Sequence, residues 1–217
     1  WFNRFHEFKE EWLLELDAKC KNDSKNISPY RLVREMREIL PEDTILFVDC
    51  GNNQGWGMHV FDSYLPGTFH MPGGYGHLGW SFPAAMGGKL AAPDRIVVSI
   101  TGDGGFHYSF HELATAAQEN IPVIIVVFND GYLNTNKQVQ DFLYKERHSW
   151  TVLNNPDFVK LAESFGISGA HVRTPDEIVP AFEEAMSGNK PFLVDVKIDA
   201  SIPFPATGFW SPRWDVD

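Results

Sequence analysis

Four short apolar runs constrain this chain most, because none of them alternates regularly with polar residues. They are Ile45-Leu46-Phe47-Val48, Ile96-Val97-Val98-Ser99-Ile100, Pro122-Val123-Ile124-Ile125-Val126-Val127-Phe128 and Pro191-Phe192-Leu193-Val194-Asp195-Val196. A strand with apolar side chains pointing both ways has to be covered on both faces, as in a parallel sheet. Helical patterns occupy 81–90, 109–118, 155–165 and 175–186. In the third, Asn155 reads as the cap and Pro156 as the first helical residue, with Phe158, Leu161, Ala162 and Phe165 on one side. Ser28-Pro29 opens an earlier helix whose apolar face is Val33, Met36, Ile39 and Leu40. Strand–helix alternation of this kind predicts a doubly wound α/β fold, with a mostly parallel sheet and helices on both faces.

Before that domain, Trp1, Phe5, Phe8, Trp12 and Leu16 recur at helical steps. The expected division is an amphipathic helix and polar linker over 1–26, the main domain over 27–200, and an extended arm rich in proline and tryptophan over 201–217. Acidic residues number 29 against 18 basic ones, a net charge of −11 that argues against nucleic acid as a partner. A bound phosphate then needs a metal or backbone amides supplied by the site. Cys20 and Cys50 are the only cysteines, which excludes a disulfide framework and a cysteine zinc cluster and makes the reducing cytoplasm the default compartment. No apolar run approaches the ~18 residues of a membrane span. The chain starts at Trp1, so a trimmed N-terminus is expected.

Ligands of open α/β sheets bind beyond the carboxyl ends of the strands. After Ile100 stands Thr101-Gly102-Asp103-Gly104-Gly105-Phe106, and after Phe128 stands Asn129-Asp130-Gly131-Tyr132. Glycines allow close backbone approach to a ligand, and a hard carboxylate suits magnesium or calcium. Asp103 and Asp130 are 27 positions apart, room for one helix and one strand, so both carboxylates return to the same sheet edge.

Gly-Asp-Gly followed, after an apolar strand, by Asn-Asp resembles the thiamine diphosphate motif. The run from Gly73 to Gly87, His111-Glu112-Leu113-Ala114-Thr115-Ala116 and Asn120-Ile121-Pro122-Val123 likewise resemble acetolactate synthase-like enzymes. The resemblance spans roughly 28–198 and identifies the chain as a pyrophosphate-binding domain. It implies thiamine diphosphate and Mg2+ as cofactors, with Asp103 and Asp130 binding the metal through side chains and Tyr132 through its carbonyl. Asn52 and Asn53 would contact the diphosphate, Gly104, Gly105 and Phe106 would donate backbone hydrogen bonds to it, and Gly102 and Leu133 complete its surroundings. Gly76 would accept a bond from the aminopyrimidine, and Leu78 would wedge the cofactor into its V shape, which brings the 4′-imino nitrogen against thiazolium C2. His77, beside the wedge, is a candidate acid–base group. The implied activity is decarboxylation of a 2-oxoacid, the product being released as an aldehyde or joined to a second carbonyl compound.

Departures from the family pattern matter as well. Asp130 stands where the family usually has asparagine, and Lys137 is a candidate to offset the added charge. Leu133-Asn134-Thr135 and Val139 replace the usual residues of the substrate channel, which leaves substrate and acceptor open. His107 and His111 have a spacing also used by zinc ligands, without a third ligand, and read as structural. Cys50 reads as a small buried filler. Within 217 residues there is no room for the pyrimidine-binding domain whose glutamate activates the cofactor. The expectation is therefore one subunit of a heterotetramer or larger assembly, or a piece of a longer chain, with a pyrimidine-domain partner. A 2-oxoacid:ferredoxin oxidoreductase β-type subunit is the alternative, disfavoured by the lack of cluster cysteines; a non-catalytic cofactor-binding relative is another.

Overall fold

The computed structural model describes residues 1–21 and 26–204. Most of the expected linker and of the C-terminal arm therefore lies outside the described residues. In chain order the elements are α1 (Phe2–Cys20), α2 (Pro29–Ile39), β1 (Ile45–Val48), α3 (Asn52–Val60), β2 (Phe69–His70), α4 (Ser81–Ala91), β3 (Val97–Gly102) and α5 (Asp103–Phe106). They continue with α6 (Leu113–Gln118), β4 (Ile124–Asn129), α7 (Asn134–Leu143), α8 (Phe158–Ser164), β5 (Ser168–Val172), α9 (Ile178–Ser187) and β6 (Phe192–Lys197). The strands form one sheet in the order β2-β1-β3-β4-β6-β5, and every pairing is parallel.

The apolar runs divide by parity. Leu46, Val48, Val98, Ile100, Val126, Phe128, Val194 and Val196 face one layer, where Val33, Met36, Trp56 and Phe182 meet them from α2, α3 and α9. Ile45, Phe47, Val97, Ile125, Val127 and Leu193 face the other, against Phe82 and Met86 of α4, Leu113 of α6 and Phe158 of α8. Two apolar layers are what strands without polar alternation require. The N-terminal helix is more loosely held: Leu16 is buried, whereas Trp1, Phe5, Phe8 and Trp12 are exposed.

From β1 the chain steps outward to β2, and then returns to place β3 on the other flank of β1. That reversal is a topological switch point, where a crevice opens at the carboxyl ends.

Three sequence expectations need correction; one is the 175–186 helix, which is a 3-10 turn (Pro175–Glu177) followed by α9. The 109–118 helix is a 3-10 turn (Phe110–Glu112) followed by α6. The helix expected from 155 starts later, at Phe158, and its cap is Asp157, whose side chain accepts the Lys160 N–H at 3.1 Å. Asp157 also pairs with His171 Nε2 at 3.2 Å. Asn155 is engaged elsewhere, by the carboxylate of Asp103. Replacing the cap, Asp157→Ala, should lower stability by about 1 kcal/mol. In thermal unfolding that is a drop of roughly 2–4 °C for a chain of this size. An unchanged transition would show that the Asp157 cap contributes no stability.

Candidate functional site

A cavity of about 290 Å3 lies at the switch point. Three connections build it: Cys50–Asn53 after β1, Gly102–Gly105 after β3, and the segment from Asp130 to Asn136 after β4. The register explains the convergence, since Gly102 of β3 lies opposite Phe128 of β4. Asp103 and Asp130 follow directly on these strand ends.

Neither carboxylate is loose. Asp103 Oδ1 accepts the Gly104 N–H at 2.8 Å, and Oδ2 accepts the Gly131 N–H at 2.8 Å and Asn155 Nδ2 at 2.6 Å. Asp130 Oδ1 accepts the Tyr132 N–H at 2.9 Å, and Oδ2 accepts Asn134 Nδ2 at 2.7 Å. Burial pushes the Asp103 carboxyl upward, against these hydrogen bonds. Burial, joined by the charge of Asp103, pushes Asp130 to about 7. The cation acting on both is Lys197, at the end of β6. Lys137, the candidate counter-charge, instead pairs with Asp141 at 3.0 Å.

Of the residues singled out above, Asn52, Asn53, Gly76, Leu78, Gly102, Asp103, Gly104, Gly105, Asp130, Tyr132 and Leu133 line the cavity. Two do not. The Phe106 side chain is fully buried in the core, with its ring 5.5 Å from that of Phe158. His77 is exposed, and its ring meets Tyr108 edge-on at 6.3 Å. Residues 131–133 and 151–153 form a short antiparallel bridge, in which Leu133 N–H donates to Thr151 O and Leu153 N–H to Gly131 O. Neither bond uses the Tyr132 carbonyl.

The cavity wall is rich in donors and tolerates little added bulk. Asn52 Nδ2 and Trp56 Nε1 are buried donors with no hydrogen-bond partner among the described residues. Asn52 is oriented by Thr135, whose hydroxyl donates to Asn52 Oδ1 at 2.8 Å. A Cβ on Gly104 would come within 2.6 Å of Leu133, and one on Gly105 would collide with Asp49 Oδ2. Cys50 lines the cavity with its thiol pushed up by burial and by Asp49, so it is a poor nucleophile. Among the described residues no group of three or more His, Cys, Asp or Glu gathers as a metal cage. Two carboxylates beside free donors instead suit a magnesium ion that takes its remaining oxygens from a phosphate and water. His107 is a partner of Asn155, with Nε2 2.9 Å from Asn155 Oδ1.

Two important residues escaped the motif reading. Asp49, fully buried at the end of β1, accepts Gly79 N–H at 2.8 Å, Trp80 N–H at 3.0 Å and the Thr101 hydroxyl at 3.0 Å. It thereby anchors the strap that carries Gly76 and Leu78. Its only sequence signal was a carboxylate closing an apolar strand. Asn155 was hidden by its resemblance to a cap, although a proline after it disfavours helical backbone at that residue.

Residues 49–196 match the family described as thiamine pyrophosphate enzyme, C-terminal TPP binding domain. A probable acetolactate synthase large subunit of Methanocaldococcus jannaschii is 40% identical over 212 residues, covering 94% of this chain and 35% of that protein. The acetolactate synthase large subunit of Haemophilus influenzae is 37% identical over 203 residues, covering 93% of this chain and 35% of its own length. Among solved structures, the thiamine diphosphate-dependent 4-hydroxybenzoylformate decarboxylase of Rhodococcus jostii RHA1 superposes with a TM-score of 0.77 at 30% identity, covering 83% of this chain and 34% of that one. The chain thus spans about a third of the length of these relatives. On the family match over residues 49–196, the chain belongs to the C-terminal TPP-binding domains of thiamine pyrophosphate enzymes, related to acetolactate synthase large subunits.

Proposed function

We propose that this chain supplies the magnesium- and diphosphate-binding half of a thiamine diphosphate-dependent C–C lyase or carboligase that acts on a 2-oxoacid. The observation that carries the reading is the pair of buried carboxylates, Asp103 and Asp130, facing a cavity whose other wall offers unpartnered donors. A dication between the carboxylates relieves their mutual repulsion, and the diphosphate it brings answers the donors opposite. Asp103 and Asp130 would hold the metal by side chains and Tyr132 by its carbonyl. Asn52, Asn53 and the amide of Gly105 would hold the diphosphate, with Gly102, Gly104, whose own amide is taken by Asp103, and Leu133 closing the cradle.

When bound, the cofactor supplies a thiazolium that accepts the electron pair released by C–C cleavage. Gly76 and Leu78 orient its other end, held by the strap that Asp49 anchors. Leu78 is only half-buried and free to meet a ligand. His77, on the outer side of that strap, is assigned to the substrate face. The aminopyrimidine end requires a wall and a glutamate from a pyrimidine-binding domain, in a second subunit or another part of a longer chain.

Binding and pH dependence test the metal assignment. Asp103→Ala should abolish magnesium-dependent retention of thiamine diphosphate in calorimetry, whereas Asp130→Asn, which keeps an oxygen ligand, should be mild. Equal and total loss from both would contradict the role given to Asp130. The raised Asp130 also sets a pH slope without metal. The folded chain keeps its proton up to about 7, whereas an unfolded aspartate releases it near 4. The stability from this proton is fully present below about 4 and is lost as pH rises through about 7. In a chelator, the denaturant midpoint of wild type should therefore fall across that window more than that of Asp130→Asn. Parallel pH profiles for the two proteins would show that Asp130 does not titrate there.

Partnership has its own readout. Turnover of a 2-oxoacid by this chain should be absent until a pyrimidine-domain protein is added. Full turnover by the chain alone would overturn the shared-site reading.

A further inference from the structure

Asn155 is the hub of a hydrogen-bonded chain that starts at Asp103 and ends at Asp195, a carboxylate buried in β6. Its Nδ2 donates to Asp103 Oδ2 at 2.6 Å and to Asn129 Oδ1 at 3.1 Å. Asn129 Nδ2 in turn donates to Asp195 Oδ1 at 2.9 Å. Asp195 Oδ2 takes Arg173 Nη2 at 2.7 Å, with His171 Nδ1 at 3.1 Å. Ionised carboxylates only accept, so both ends of this chain dictate how the amides turn. Asp195 demands the Asn129 NH2 group, which leaves Asn129 Oδ1 toward Asn155. Asp103 demands the Asn155 NH2 group, which leaves Asn155 Oδ1 for the Nε2–H of His107.

This arrangement makes the two oxygens of Asp103 unequal. A carboxylate has about four lone-pair sites, two on each oxygen. Oδ2 already accepts from Gly131 and Asn155 and is saturated; Oδ1 accepts from Gly104 alone and keeps a site. Asp130 accepts one bond on each oxygen.

We propose that Asn155 is a positioning residue that restricts Asp103 to one-oxygen coordination and so selects magnesium over calcium. The proposal rests on the reading of Asp103 and Asp130 as metal carboxylates. Magnesium demands a near-ideal octahedron, whereas calcium accepts more oxygens and two-oxygen carboxylates. Removing the Asn155 donor returns a lone pair to Oδ2 and opens the two-oxygen mode.

The test titrates Mg2+ or Ca2+ into purified protein with saturating thiamine diphosphate and follows cofactor binding by calorimetry. Wild type, Asn155→Ala, Asn129→Ala and Asp103→Ala are compared. Loss of a partner that orients a metal ligand typically weakens metal binding roughly 10- to 100-fold. Asn155→Ala should weaken magnesium by about that factor and calcium by less, so the magnesium-to-calcium preference falls. Asn129→Ala should move the preference the same way by a smaller amount, since Asn155 then loses one of its partners and keeps His107. A folded Asn155→Ala with unchanged preference overturns the proposal. If Asn155→Ala shows no cooperative thermal transition, Asn129→Ala decides, and an unchanged preference there overturns it too. Wild-type binding by Asp103→Ala would defeat the metal-site reading, and this proposal with it. Loss in Asp103→Ala with an unmoved preference in Asn155→Ala defeats the positioning role alone.

Discussion

Two like-charged carboxylates buried at the ends of neighbouring central strands set the terms for everything around them. Taking an ionised carboxylate out of water costs several kcal/mol unless charge and hydrogen bonds replace the solvent. Backbone amides from both strand ends do part of that work: Gly104 and Gly131 on Asp103, and Tyr132 on Asp130. The amides can reach because the turns are tight. Gly131 has φ +83°, a conformation that L side chains rarely adopt. What remains uncompensated shows in Asp130, which burial and Asp103 hold at about 7.

Asp49 illustrates the opposite solution. Its carboxylate accepts from protein donors, among them the consecutive amides of Gly79 and Trp80 in one loop, so its charge serves architecture. The loop it holds begins at Gly79, where an added Cβ would lie 2.7 Å from that of Tyr108. Leu78 and Gly76 stand immediately before that point. A buried carboxylate on β1 therefore decides where one wall of the cavity stands, while carboxylates on the β3 and β4 edges stay available to a ligand. Position, with burial nearly constant, separates the two roles: Asp103 and Asp130 line the cavity, and Asp49 stands behind it.

The same physics explains which parts were legible in the sequence. β1, β3, β4 and β6 announce themselves because central strands are apolar on both sides. β5, Ser-Gly-Ala-His-Val, lies at an edge with mostly exposed or half-buried residues and carries no such signal. β2 has two residues. α3 contains two glycines and two asparagines, so neither period nor propensity marks it; Trp56, packed against Phe128 at 6.3 Å, holds it instead. The motifs that line the cavity were legible because glycine and aspartate gathered at strand ends form a recognisable local pattern. Asn155 and Lys197 were not, since each reaches the site through chain reversal, and local pattern says nothing about partners 52 or more positions away. The polar run after Tyr132 was noticed, but that Asn134 grips Asp130 follows only from the α7 start being turned back on the loop.

Charge gives the last constraint on how such a site is filled. The chain carries −11 overall, but at physiological salt that field is screened beyond about 8 Å. Around the cavity the local balance therefore governs: two carboxylates line it, and Lys197, outside that lining, acts on both. A bare diphosphate entering this space would meet more negative charge than the amides and Asn52 can answer. A dication arriving alone would satisfy the carboxylates yet leave the donors on the opposite wall unpaired. On the proposed reading, metal and diphosphate each correct the deficit that the other leaves, so their binding is cooperative by construction, and the coupling is strongest where both carboxylates are ionised.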